Sequence, residues 1–278
     1  METMIPVFDN HVHLQKKGEN VNAAKRYERK GGKILNICNI PGEFRPSIDY
    51  FEEIYNETLS IADRVRKETS LTVLVTIGPY PVDALKSVEI IGKEKTEDLF
   101  LRATDYAGKL VQNGMAHAIG EIGRPHFNVD EDLWEFSNSL LEKQIAIAKD
   151  YDSPVILHTE SATKETFMEI SRMGEKVGFK RWKMIKHYSP PFILEEENYG
   201  IFPSIISSRD NIRQAIMKGT TFFMETDFLD DPMRRGAVMD IETVPKRYIM
   251  LQQEFPELFE KYVQDSKINI LRIYGVEI

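Results

Sequence analysis

Val7-Phe8-Asp9-Asn10-His11-Val12-His13-Leu14 is an apolar run that ends in two histidines one residue apart. In a β-strand alternate side chains share a face, so the spacing places Asp9, His11 and His13 on one side. Neutral imidazole is a common ligand for divalent transition metals, and two at one strand end can reach a single ion. Alone, the motif also fits an exposed polar strand end. Whether partners recur at other strand ends decides between the two.

Working outward, short apolar runs alternate with segments of helical periodicity along the whole chain. Strands are expected over residues 33–40, 71–77, 115–121, 154–158, 179–187, 200–206 and 221–227. Helices are expected over 21–30, 46–67, 82–91, 97–113, 130–151, 162–177 and 209–218, with a short one within 190–198. The tail from Asp240 reads as helical, broken near Pro256 and again around Asp265-Ser266. Continuous apolar strands separated by helices are the pattern of a parallel sheet covered on its faces. Its simplest closure is one (β/α)8 TIM barrel with extra C-terminal helices, spanning residues 1–278.

Composition fits that size: 42% of 278 residues are hydrophobic. Lys and Arg total 36 against 44 Asp and Glu, a formal net charge of -8, which disfavours a broad footprint on duplex DNA. Phosphate chemistry stays open, because bound metal ions supply positive charge locally. Cys38 is the one cysteine, so a disulfide within the chain and a thiolate metal cage are both excluded. It lies in the apolar run Ile34 to Cys38 and reads as a buried strand residue. The sequence shows no basic segment followed by an apolar stretch at its start and no membrane-length apolar run, so a cytoplasmic protein is expected.

The expected strands one, four, five, six and eight end on His11 and His13, Glu121, His158, His187 and Asp227. In a barrel of this kind the C-terminal strand ends converge, so residues scattered in sequence meet there. Four imidazoles and two carboxylates suit zinc, with manganese or magnesium as alternatives. They exceed what one tetrahedral ion needs, and two ions with a bridging carboxylate would share them. Such a pair acidifies water and polarises a carbonyl or phosphoryl oxygen, which makes hydrolysis the expected reaction.

At these positions the chain resembles TatD-like metal-dependent hydrolases of the amidohydrolase superfamily. The resemblance is carried by Asp9-x-His11-x-His13-Leu14, Gly120-Glu121-Ile122-Gly123, Pro154 to Thr159, His187-x-Ser189, Glu225-Thr226-Asp227 and the closing stretch Asn269 to Gly275. It implies that His11, His13 and Asp227 hold one metal, that His158 and His187 hold the other, and that Glu121 bridges. Asp227 is then also the general base. Asp9 and Glu225 precede ligands by two residues and are expected to orient imidazoles or to form ion pairs.

The departures from the family pattern fall on the substrate side. Glu160 stands where an Arg is usual, Arg124-Pro125-His126 replaces a Leu-Asp continuation, and Tyr188-Ser189-Pro190-Pro191 replaces Cys-Phe-Ser-Gly. Arg124, Arg234 and Arg235 are candidates for gripping an anion, with His126, Glu160 and Tyr188 as further candidate substrate contacts. The first expectation is hydrolysis of a phosphodiester, in DNA or a short nucleic acid, without membrane partners. A carboxylic ester, amide or lactone, including an aminoacyl ester on tRNA, is the alternative substrate. A metal-binding protein without turnover is a third reading, disfavoured by the full set of six ligand-type residues.

Overall fold

The computed structural model describes residues 5–234 and 238–278. Strands β1 (Phe8–His13), β2 (Ile34–Cys38), β3 (Thr72–Ile77), β4 (Ala118–Gly123), β5 (Val155–His158), β6 (Met184–Ser189), β7 (Phe202–Ile206) and β8 (Phe223–Glu225) lie side by side in sequence order. All pairings are parallel, and β1 pairs with both β2 and β8, which closes the ring. A two-residue strand, β9 (Phe228–Leu229), resumes the line of β8 beside Val12 and His13. The helices between strands are α1 (Val21–Arg29), α2 (Ile48–Glu68), α3 (Pro81–Ile91), α4 (Lys93–Gln112), α5 (Glu131–Asp150), α6 (Lys164–Val177), α7 (Glu195–Asn198) and α8 (Arg209–Lys218). After the barrel come α9 (Thr243–Glu254) and α10 (Pro256–Tyr274). This is the expected (β/α)8 barrel with C-terminal helices.

Local chemistry sets the helix limits. Asp130 accepts from the Leu133 N–H at the start of α5, with Glu131 and Asp132 in the first turn where the helix dipole favours them. Thr163 and Thr166 cap α6 reciprocally, and Gly178 ends it at φ 70, a left-handed conformation.

The interior is layered. Phe8, Ile34, Leu74, Ala118, Ile156, Ile185, Phe202 and Phe223, one from each barrel strand, form an apolar floor, and Ile270, Ile273 and Tyr274 of α10 close it from below. Above it lies a polar layer in which Asn10 bonds Ser204 at 3.0 Å and Asn36 accepts from Thr76 at 3.0 Å. The histidines and carboxylates of the C-terminal strand ends sit on top.

Five local readings are corrected. The pairing of β1 with β2 shifts register between Asp9 and Val12. Phe8 faces the interior while Val7, Val12 and Leu14 pack outside, so alternation puts Asp9 on the outer face, away from His11 and His13. Strict alternation would give His117 and Glu121 one face, but a similar shift between Ile119 and Ile122 separates them. β6 begins only at Met184, because Arg181–Lys183 forms a single 3-10 turn that tucks Trp182 against the floor, with Arg272 4.2 Å above its ring. β8 ends at Glu225, and Asp227 adopts φ 52 between β8 and β9, a conformation Asp tolerates. Finally, α10 runs unbroken through Asp265-Ser266. Ser266 is buried there and Asp265 takes a hydrogen bond from Thr220, so Asp265 is spent on a tertiary contact rather than on ending the helix.

Two outcomes follow from this packing. Ile270→Ala opens the sealed floor, and its urea unfolding free energy is expected to drop by about 3 kcal/mol while helical circular dichroism is retained. His117 accepts the Val75 N–H at 3.2 Å, and burial, aided by Arg66, pushes its pKa down to about 4. The unfolded chain therefore binds that proton more readily, so stability is full above about pH 6.5 and falls as the pH drops toward 4. His117→Asn, which cannot titrate, is expected to lose less of its urea midpoint than the wild type between about pH 7 and about pH 5.

Candidate metal centre

Six residues expected at strand ends converge at the C-terminal mouth of the barrel, and Glu121 is their hub. Its Oε1 lies 2.9 Å from His11 Nε2 and 3.4 Å from His13 Nε2, while its Oε2 lies 2.6 Å from His158 Nδ1. The two Nε2 atoms of His11 and His13 are 3.1 Å apart. Asp227 Oδ1 completes this half at 3.6 Å from His13 Nε2 and 3.9 Å from His11 Nε2. On the other half the His187 ring stacks on His11 at 3.9 Å and runs nearly parallel to His158 at 5.9 Å. His11, His13 and Asp227 form one group of mutually close donor atoms, Glu121, His158 and His187 a second, and His11, His187 and Glu225 a third.

These residues fit divalent cations on their own chemistry. Ligands around a tetrahedral zinc at about 2.0–2.1 Å stand about 3.3 Å from one another, close to the spacings on the first half. A hydrogen bond between His11 and His13 would place a proton in only one of two converging lone pairs. The short contacts of His158 Nδ1 with Glu121 and of His187 Nδ1 with Glu225 (2.8 Å) lie off hydrogen-bond directions. Both nitrogens are thus buried without a hydrogen-bond partner. Buried polar atoms left this way are costly unless something else meets them.

Electrostatics agrees with that fit. Burial pushes His187 down to about 4 and lowers His11, leaving neutral imidazoles of the kind a metal needs. Burial opposes the charge on Glu121, but His158, His187 and His11 outweigh it and hold the carboxyl well below the usual range. His13 is raised, since Glu121 and Asp227 together overcome the opposing effect of burial.

The far sides of the His11, His13 and His158 rings are also held. The His11 Nδ1 lies 3.4 Å from Cys38 Sγ, and His13 Nδ1 lies 3.3 Å from the Cys38 carbonyl. His158 Nε2 meets His126 Nδ1 at 2.9 Å and the Tyr80 hydroxyl at 3.4 Å. Gly123 lets β4 press against this point, since a Cβ there would lie 1.7 Å from the His158 carbonyl oxygen. Glu225 sits on the inner face beside His187, whereas Asp9 works from the outer face. Its carboxylate accepts from the Thr226 N–H and hydroxyl and from the His11 N–H, and burial pushes its pKa up to about 8. Asp9 therefore holds backbone on both sides of the barrel seam rather than orienting an imidazole. Sequence reading missed Cys38 and Tyr80 as contacts. The signals were their places, at the inner-facing end of β2 and in the loop above β3.

The substrate candidates divide. Arg124 was expected to grip an anion, but its side chain is fully buried. It forks onto Glu160, pairs with Glu169 at 2.8 Å and Asn138 at 3.2 Å, and stacks on Trp134 at 4.5 Å. Glu160 is correspondingly engaged by Arg124 and Thr166, so neither is free for a ligand. His126 and Tyr188 are exposed beside the mouth, next to His158 and His187 respectively. Arg234 lies in the loop after β9, near enough to lower the Tyr80 hydroxyl's pKa, although burial raises it overall. Arg235 lies outside the described residues. Asp230 in the same loop is buried and seats the turn after β1, accepting from the N–H groups of Glu19 at 2.6 Å and Asn20 at 2.7 Å.

Comparison with known proteins agrees with this architecture. Residues 8–275 match the family described as TatD related DNase. An uncharacterized protein of Methanocaldococcus jannaschii, MJ1127, is 34% identical over 282 aligned residues, covering 99% of this chain and 97% of its own length. A second protein of that organism, the uncharacterized metal-dependent hydrolase MJ0761, is 28% identical over 175 residues, 63% of this chain and 62% of its own. The crystal structure of YJJV, a TatD homolog from Escherichia coli, shares the fold with a TM-score of 0.67 at 19% identity, covering 99% of this chain and all (100%) of that one. With one family matched over nearly its whole length, this chain belongs to the TatD related DNase family.

Proposed function

We propose that this protein is a metal-dependent hydrolase that cleaves phosphodiesters, in DNA or a short nucleic acid, with two divalent ions held at the barrel mouth. One observation carries the reading: the two oxygens of Glu121 face two different sets of imidazoles, His11 and His13 on one side and His158 on the other. His11, His13 and Asp227 would hold the first ion, His158 and His187 the second, and Glu121 both. Zinc suits this nitrogen-rich set best, with manganese or magnesium as alternatives. Such ions supply Lewis acidity, which acidifies water and polarises a phosphoryl or carbonyl oxygen.

The chain's own residues then have defined tasks. Asp227 is the general base: its carboxylate stands at the mouth, more exposed than the imidazoles beside it, where it can accept a proton from attacking water. Arg234, exposed in the loop after β9, is the cation we assign to meet a phosphate. His126 and Tyr188 offer planar side chains to the rest of the substrate. The lone, buried Cys38 is at home in the reducing cytoplasm, where we place the enzyme. A second reading, cleavage of a carboxylic ester, amide or lactone, is favoured by the sequestration of Arg124, which leaves fewer cations for a phosphate backbone.

Three measurements test this. Asp227→Asn is expected to retain most of its metal, read by elemental analysis, and to lose about 100-fold or more in hydrolysis of bis-p-nitrophenyl phosphate; an unchanged rate rejects the base assignment. Glu121→Gln is expected to drop the metal content from about two ions per chain to one or fewer. Running bis-p-nitrophenyl phosphate, single-stranded DNA and p-nitrophenyl acetate in parallel separates the two substrate classes, and turnover of acetate alone overturns the phosphodiesterase reading.

A further inference from the structure

A buried chain of hydrogen bonds links the C-terminal helix to the candidate metal centre through the barrel's interior. The Tyr274 hydroxyl donates to Asn10 Oδ1 at 2.6 Å, and Asn10 Nδ2 donates to Ser204 Oγ at 3.0 Å. The Ser204 hydroxyl donates to Glu225 Oε2, and Glu225 Oε1 lies 2.8 Å from His187 Nδ1. Asn10, Ser204 and Glu225 are fully buried, and Tyr274 and His187 nearly so.

The donor and acceptor inventory gives this chain one direction. A phenol can donate one proton, and among the described residues the Tyr274 hydroxyl has Asn10 Oδ1 as its hydrogen-bond acceptor. That fixes the Asn10 amide with its NH2 toward Ser204. The Ser204 oxygen is then taken as an acceptor, so its proton points to Glu225. Reversing the chain would strand the Tyr274 O–H and require Glu225 to carry the proton. Glu225 also accepts the Tyr188 N–H at 2.7 Å, so donors approach both of its oxygens. It is thereby held as a carboxylate with Oε1 2.8 Å from His187 Nδ1, off the hydrogen-bond direction but close enough to bear on how the ring sits.

We propose that Tyr274 is a positioning residue for the metal centre, acting through Asn10, Ser204 and Glu225 to hold a carboxylate beside His187 and so set the orientation of its ring. This rests on reading the barrel mouth as a metal site. The phenol ring itself belongs to the floor, packed edge-on against Phe8 at 6.1 Å and stacked on Phe223 at 6.0 Å. Only the hydroxyl reaches the polar layer above, so ring and hydroxyl have separable roles.

The test is cobalt(II) titration of the metal-stripped full-length chain, followed by its visible absorption bands and by equilibrium dialysis. Tyr274→Phe keeps the ring and removes the donor. It is expected to weaken the second cobalt by about tenfold or more and to shift its absorption bands, while thermal unfolding of the stripped protein stays within a few degrees of wild type. Ser204→Ala breaks the chain at another link and is expected to reproduce the same loss, and it decides the matter if Tyr274→Phe does not fold. Ile273→Val, which disturbs the floor without touching the chain, is expected to bind cobalt like the wild type. A wild type that loads two cobalt ions while Tyr274→Phe and Ser204→Ala load identically to it overturns the proposal alone. A wild type that takes up no cobalt overturns the metal-centre reading and the proposal with it.

Discussion

A carboxylate in a protein interior keeps its charge only where neighbouring groups compensate for lost hydration, and Glu121 meets that condition with three imidazoles. The rest of the mouth is arranged to sustain the arrangement. Irregularities in β1 and β4 turn His11 and Glu121 inward, the glycine at 123 lets β4 close on β5, and the rings of His11, His13 and His158 are each steadied on the far side by a different group. Burial favours the neutral form of His11 and His187, so each offers a lone pair. A pocket built this way attracts cations by chemistry as well as by charge.

Much of this was legible in the sequence, and the legible part has a simple cause. Strand ends in a parallel barrel all point to one rim, so His13, Glu121, His158 and His187 could be brought together from their positions in apolar runs alone. What escaped depended on contacts between distant segments. Strict alternation placed Asp9 with His11, and only the register shift against β2 reveals that it faces outward to Thr226. Asp227 sits in a left-handed turn after the strand, a detail that residue type permits but does not announce. Arg124 looks in sequence like a free cation, yet its carboxylate partners lie at positions 160 and 169, outside any local window. Asp265-Ser266 read as a break because local propensity cannot register a tertiary bond from Thr220.

The Arg124 fork also explains how one departure from the family pattern accommodates another. An acidic side chain at position 160 beside a metal site would add negative charge where an anionic substrate approaches. Here that charge is matched by a buried guanidinium in bidentate contact and shielded by Trp134. The pair is charge-matched, with the guanidinium buried and the carboxylate part-exposed, so neither side chain is free to meet a ligand.

The sealed floor shapes traffic through the molecule. With Ile270, Ile273 and Tyr274 filling one end, the barrel is a blind cup and not a tunnel. Whatever enters such a cup must leave by the same lip, so arrival and departure share one opening. That opening is edged by loops such as those after β4 and β6, and the strands that carry the candidate ligands lie behind it.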